Sequence, residues 1–176
     1  RYRQRLLLRI AAMAGNGTAE QYRFAALSAS LNIKDASITR LNNGVHIVLW
    51  LIDNASTEAT KSAVVQAISV NKPLGVDVTI SPARPFPVLV QAKIWRTSSA
   101  PANLVAQLAE NLQQAWAQQA ELGKCLPRSW ITAQLHKQGV ARIEYLQEQA
   151  PPEFSLLAAD QYPELSAIEL IDAGQA

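Results

Sequence analysis

Side chains that could perform nucleophilic or acid–base chemistry are scarce in this sequence. Its 176 residues include two histidines and one cysteine. His46 lies among apolar residues of a predicted strand, and His136 lies in the last turn of a predicted helix, where a cationic side chain interacts favourably with the helix dipole. Cys125 follows Lys124, a neighbour that can activate a thiol, but no nucleophile motif surrounds it. We therefore interpret His46 as a structural or interface residue, His136 as a structural residue and Cys125 as an incidental thiol.

The sequence also lacks the residue spacings that are typical of metal and phosphate sites. It contains no Cys-x-x-Cys, no His-x-x-x-His and no Asp-rich loop, the patterns on which zinc and calcium sites are built. The densest carboxylate group spans a predicted strand end and a proline loop, and consists of Glu144, Glu148 and Glu153. The glycines at positions 15 and 17 lack the preceding strand and the Lys of a phosphate-binding loop. We expect no enzymatic activity, no cofactor, no metal and no small-molecule substrate.

Charge is distributed unevenly along the chain. Residues 1–100 carry 12 Lys and Arg against 5 Asp and Glu, a net charge of +7, whereas residues 101–176 carry 4 against 9, a net charge of −5. Such asymmetry can create a nucleic-acid-binding face, or it can steer contacts between copies or with a charged partner. The most basic segment contains Arg1, Arg3, Arg5 and Arg9, with only Tyr2 close by as a stacking aromatic. We interpret this segment as the solvated face of a helix.

The sequence excludes membrane-spanning, secreted and disulfide-stabilised proteins. No apolar run approaches the roughly 20 residues of a membrane-spanning helix, no secretory leader pattern follows the basic start, and a single cysteine cannot form an intrachain disulfide. The sequence begins with Arg inside a predicted helix. We therefore expect it to be part of a longer chain.

The hydrophobic pattern predicts an α+β protein with two small domains in the element order ααββαβ and then βααββ. Each domain is expected to contain a short, mostly antiparallel sheet covered by helices. Residues 82–87 hold three prolines, and we expect them to form a stiff connector outside any sheet. The predicted domains are therefore residues 1–81, which include an N-terminal linking helix, and residues 88–176, which end in a strand excursion.

The first domain has recognisable start and turn signals. Residues 1–14 form a predicted amphipathic helix, and Thr18-x-x-Gln21 is a capping box that opens a second helix. Asn43-Gly44 between apolar runs predicts a hairpin whose two central residues adopt positive φ. Asn54 is a candidate N-cap for the helix that follows. In the second domain the predicted elements are a strand over 88–95, a helix with Leu104, Leu108, Leu112 and Trp116, a shorter helix with Trp130, Ile131 and Leu135 on its inner side that Gly139 closes, and strands over 140–145 and 165–171.

The strand over 45–52 is apolar on both faces, which a solvated antiparallel strand would not be. It is therefore sandwiched between layers or presents an apolar face to a partner, and this second face contains His46 and Trp50. Trp95 lies on the less regular face of its own strand, whereas Trp116 and Trp130 fall on helix core stripes. Tryptophan is enriched at binding hot spots. The candidate partner-interface residues are His46, Trp50, Trp95, Arg1, Arg5 and Arg9.

Four regions of the sequence, in order, resemble the baseplate J-like family. They are residues 22–30 (YRFAALSAS), 72–80 (KPLGVDVTI), 122–131 with 135–144 (LGKCLPRSWI and LHKQGVARIE), and 160–165 (DQYPEL). The sequence departs from the family pattern at Gly75, where Thr or Ser is frequent, and in its Gln-rich helix.

The resemblance implies a structural protein of contractile phage tails or prophage-derived injection machines. Its expected role is to join baseplate wedges into a ring, with other wedge proteins and other copies of itself as partners. Its expected location is the virion tail baseplate, assembled in the bacterial host cytoplasm. Members have a further N-terminal domain, so the chain is expected to be a fragment that lacks it, and the family brings no catalytic residues.

Two interpretations from other classes remain. The basic first half could belong to a nucleic-acid-binding module. Less favoured is a small hydrolase that uses Cys125 and His136, which would have to lie within hydrogen-bonding reach of each other.

Overall fold

The computed structural model describes residues 6, 9, 17–70, 72–146, 150–153 and 156–176. The chain forms two compact units. Unit 1 comprises Arg1–Arg84 and Ala158–Gln161, and unit 2 comprises Pro85–Leu157 and Tyr162–Ala176. The helix expected over residues 1–14 lies outside the described residues except for Leu6 and Arg9, which are helical. No helix in the described part of the chain is long and apolar enough to cross a membrane.

Each unit combines helices with a three-stranded sheet, so the predicted α+β class is confirmed. The elements that begin in unit 1 are α1 (Ala19–Ala29), β1 (Ile33–Leu41), β2 (Gly44–Leu51), a 3-10 turn (Asn54–Ser56), α2 (Thr57–Ser69) and β3 (Asp77–Pro82). The elements that follow are β4 (Arg84–Arg96), α3 (Leu104–Gln119), α4 (Arg128–Leu135), β5 (Val140–Tyr145) and β6 (Gln161–Gln175). From α1 onward this is the predicted order, although β6 begins at Gln161 rather than at the expected residue 165.

Side-chain caps start α1 and the 3-10 turn that leads into α2. Thr18 Oγ1 accepts a hydrogen bond from the Gln21 N–H at 3.2 Å, and the Gln21 side chain accepts one from the Gly17 N–H, so the capping box is confirmed. The N-cap predicted at Asn54 is wrong. The Asp53 carboxylate accepts the Ala55 N–H at 2.9 Å and starts the 3-10 turn, which delays the first residue of α2 to Thr57.

Both sheets are mixed rather than mostly antiparallel. In sheet 1, β2 pairs antiparallel with β1 and parallel with β3. The parallel pairing follows from connectivity, since α2 carries the chain across the sheet between β2 and β3. One face of β2 packs under both helices, and the core consists of Tyr22, Ala26, Ile33, Ala36, Ile47, Leu49, Leu51, Val64 and Ile68.

The turn between β1 and β2 is not the predicted one. Leu41 pairs with Gly44, so the loop is Asn42–Asn43, and among the described residues only glycines other than Gly44 have positive φ. Gly44 is required for a different reason. It pairs with Asp77 of the parallel neighbour β3, and a Cβ atom on it would lie 2.3 Å from the Asp77 carbonyl oxygen. The close approach of β3, rather than the turn geometry, selects glycine here.

Sheet 2 has the strand order β5-β4-β6, with β4 and β5 antiparallel. The hydrogen bonds from β4 to β6 and to the residues that flank it advance in the same direction along both segments, which makes the pair parallel. They join Arg84 to Asp160, Val88 to Ser166 and Arg96 to Ala176. One face of the sheet packs on the two helices. Its core consists of Val88, Val90, Ala92, Ile94, Leu104, Leu108, Leu112, Trp116, Ile131 and Leu135.

The prediction that residues 82–87 lie outside any sheet is wrong, because β3 ends at Pro82 and β4 begins at Arg84. The Arg84 N–H donates to the Asp160 carbonyl at 2.8 Å, so Arg84 faces β6. Strand alternation then turns the nitrogens of Pro85 and Pro87 toward the opposite edge. There β5 pairs with β4 only from Ala92 onward, so the missing N–H groups cost no ladder hydrogen bond.

The close approach at Gly44 predicts a strong local effect of substitution. Gly44→Ala forces a methyl group against the Asp77 backbone, and we expect it to lower the free energy of unfolding by about 3 kcal/mol. The neighbouring exposed change Asn42→Ala should stay within about 0.5 kcal/mol of the unsubstituted protein. Urea unfolding followed by circular dichroism measures both, and equal losses for the two variants would contradict the account of Gly44.

Candidate functional site

His46 contacts a serine across sheet 1. Its Nε2 lies 2.9 Å from Ser81 Oγ, joining β2 to β3, and the ring is half-buried. Within the described residues no carboxylate hydrogen-bonds either side chain. The contact links β2 to β3, and within the described residues it lacks the third, orienting group that a catalytic triad contains.

The Cys125–His136 pair of the hydrolase interpretation does not form a hydrogen bond in this structure. The Cys125 thiol donates to the carbonyl of Leu126 at 3.6 Å. His136 is exposed at the C-terminal end of α4, where its backbone N–H donates to the Thr132 carbonyl. In the described part of the chain no group of three or more His, Cys, Asp and Glu residues could hold a metal ion.

Trp50, the first tryptophan candidate, is buried, with 7% of its surface exposed. The Lys34 ammonium nitrogen lies 3.8 Å from the centroid of its ring, a cation–π contact. Burial lowers the pKa of Lys34, and the Asp35 carboxylate partly offsets this shift. Asp35 is itself paired with Arg23 at 2.7 Å. Trp50 therefore packs against Lys34, which is next in the chain to the Arg23–Asp35 ion pair between α1 and β1.

Trp95, the second tryptophan candidate, lies in a row of side chains on the non-helical face of sheet 2. It is half-buried and pairs across the strands with Arg142 of β5, whose guanidinium carbon lies 4.5 Å from the ring centroid. Arg142 also donates to Glu144 at 2.6 Å, and Lys93 is the cross-strand partner of Glu144. We call Trp95, Arg142, Glu144 and Lys93 the Trp95 row.

The arginine candidates are described only in part. Arg9 is exposed, whereas Arg1 and Arg5 lie outside the described residues. His46 and Trp50 are four residues apart in β2, so they lie on the same face of this strand. Both belong to unit 1, whereas Trp95 belongs to unit 2.

Sequence reasoning missed Arg142, which supplies the charged half of the Trp95 row. Strand alternation places Arg142 and Glu144 on one face of a predicted strand, and this signal was available. The pairing of Arg142 with Trp95 depends on the register between β4 and β5. These strands are separated by 43 residues of chain, so the register is not encoded locally.

Comparison with known proteins shows a likeness in fold but does not assign the chain to a family. No protein-family model matches the sequence, and no curated protein matches it. Ten chains of solved structures match. Among them is a chain of the anti-feeding prophage baseplate, a 6-fold symmetrised cryo-EM structure, which is similar at a TM-score of 0.57 and 13% identity over 88% of this chain. The present chain spans 37% of the length of that chain.

The different environments of the tryptophans predict different costs of truncation. Trp116 is 4% exposed and its indole N–H donates to the Pro163 carbonyl at 3.0 Å. Trp116→Ala should therefore lower the free energy of unfolding by about 3–5 kcal/mol, whereas Trp95→Ala should cost about 1 kcal/mol, because it loses mainly a partly exposed cation–π contact. Urea unfolding compares the two, and a cost of Trp95→Ala equal to that of Trp116→Ala would show that Trp95 is a core residue.

Proposed function

We propose that this chain is a structural component of the tail baseplate of a contractile phage or of a prophage-derived injection machine, and that it joins neighbouring wedges by protein–protein contacts. The observation that carries the proposal is the fold likeness to a chain of the anti-feeding prophage baseplate over 88% of the present chain. The resemblance of four sequence regions to the baseplate J-like family supports the same role independently of the fold. The partners are other wedge proteins and other copies of this chain, and assembly takes place in the bacterial host cytoplasm.

The Trp95 row supports an assembly role through its chemistry. Tryptophan and arginine are the residue types enriched at the energetic centres of interfaces. In this row they are already stacked on a sheet, so that less side-chain entropy is lost when a partner covers them. The row also contains charges of both signs, Arg142 and Lys93 against Glu144, which can specify the orientation of a partner.

The charge distribution supports contacts between unlike surfaces. A ring requires heterologous contacts, in which one surface of a subunit meets a different surface of its neighbour. Unit 1 carries 10 Lys and Arg against 6 Asp and Glu, a net charge of +4, and unit 2 carries 6 against 8, a net charge of −2, so unit 1 of one copy attracts unit 2 of another at a distance. We propose that Arg1, Arg5 and Arg9 contribute to the basic surface.

The assembly role predicts a change in solution mass. Light scattering should show a higher mass when the protein is mixed with the baseplate protein encoded beside it than when either is alone. Trp95→Ala should weaken this complex roughly tenfold or more, and the exposed control Lys137→Ala, also in unit 2, should change it less than about twofold. Unchanged masses on mixing would contradict the proposed assembly role, and equal affinities of the two variants would remove the Trp95 row from the interface.

Charge steering predicts a separate effect of the basic segment. Reversing Arg1, Arg3 and Arg5 to Glu should slow association and flatten its dependence on salt, because long-range attraction is screened over about 10 Å at 0.1 M ionic strength. Stopped-flow association at several salt concentrations measures this. Retention of the original rate and salt dependence by the triple variant would refute charge steering by this segment.

A further inference from the structure

A narrow groove lies between the two helices of unit 1. Its volume is about 240 Å³, and its walls include Phe24, Ala25, Ser28 and Ala29 of α1 and Ala67 and Ile68 of α2. This volume is below the roughly 300–1,000 Å³ of small-ligand pockets, but a groove between helices can hold the apolar side chains of another helix. We propose that the groove receives residues 1–14 of a second copy of this chain. The inference deepens the proposed function, because it names the segment by which one copy contacts another.

The surface around this groove is uncharged. Ala25 and Ala29 are four residues apart, so they lie on one face of α1, and their small side chains leave the space between the helices open. None of the described residues that line the groove is charged, whereas the outer faces of helices ordinarily are. Val70, three residues beyond the lining residue Ala67, is 80% exposed. An apolar surface of this kind is typical of a protein–protein contact.

Residues 1–14 have the complementary pattern. Their sequence predicts an amphipathic helix whose apolar stripe consists of Leu6, Leu7, Ile10 and Ala14. A helix over this segment would be about 21 Å long, and the 11 residues of α1 extend over about 17 Å, so the stripe can cover the groove along its length. Leu6 is helical and 48% exposed. Its own copy therefore leaves this side chain half uncovered, and a second copy can bury it.

The charges of the segment are compatible with this contact. Arg1, Arg5 and Arg9 recur every four residues, so a helix places them on one face, away from the apolar stripe. Neither α1 nor α2 has a basic residue in its last turn, where the helix dipole attracts cations. The arginines therefore stay in solvent or approach these helix ends while the leucines enter the uncharged groove.

The contact predicts that the purified protein associates with itself. Light scattering of the protein alone should give a mass that rises with concentration above that of a single chain. Ser28→Arg places a large cation in the groove at an exposed position and should weaken the association roughly tenfold or more. Its matched control is Ser62→Arg, at an exposed position of α2 that does not line the groove, which should change the association less than about twofold.

The segment itself is tested by a second pair of variants. Leu6→Ser should weaken the association as Ser28→Arg does, whereas Leu74→Ser, at another exposed leucine of unit 1, should leave it unchanged. A single-chain mass at protein concentrations up to about 1 mM, or equal effects of each variant and its control, overturns the proposal.

Paramagnetic broadening tests whether the segment reaches a second copy. A nitroxide is attached to Arg9→Cys after the native cysteine is removed by Cys125→Ser, and this protein is mixed with isotope-labelled protein that carries no nitroxide. The amides of residues 21–29 and 63–68 of the isotope-labelled copy should broaden, and reduction of the nitroxide should restore them. Broadening only when both labels are in one chain would overturn the proposal, since the segment would then not reach a second copy. Because both experiments use this protein alone, their failure leaves the proposed contacts with other wedge proteins standing.

Discussion

Each unit depends on a central strand that must bury one face under helices while pairing with a neighbour on both edges. In β2 the buried face is Ile47 and Leu49, and in β4 it is Val90, Ala92 and Ile94, none of which exceeds 1% exposure. A three-stranded sheet buries little apolar area, so the loss of one of these side chains removes a large part of the core. The parallel neighbour of β2, strand β3, is accommodated only because Gly44 lacks a side chain at the point where the Asp77 backbone approaches.

Local sequence patterns predicted the kinds and order of elements, because they reflect interactions within a few residues. The Thr18–Gln21 capping box and the four-residue spacing of Leu104, Leu108 and Leu112 are of this type. The parallel pairings could not be predicted in the same way, since they depend on which edge remains open after the helices cross the sheet. The prolines of β4 were misassigned for a related reason: Pro85 disrupts a sheet only if its nitrogen faces a paired neighbour, and that depends on where β5 begins to pair.

The candidate surfaces follow the same division between local and tertiary information. Trp95 could be selected from the sequence because its residue type and strand face are visible there, but its stacking partner Arg142 is fixed by register. Trp50 was selected on the same grounds, and tertiary packing buries it beneath Lys34.

The central claim is that this chain works as a structural part of a tail baseplate. Cryo-electron microscopy of tail particles, purified from the cells that produce this protein, tests the claim most directly, with the chain identified in the particles by mass spectrometry. The account predicts density for both units in the baseplate, repeated in every wedge and in contact with a neighbouring wedge. Complete tail particles whose baseplates lack this chain would contradict it.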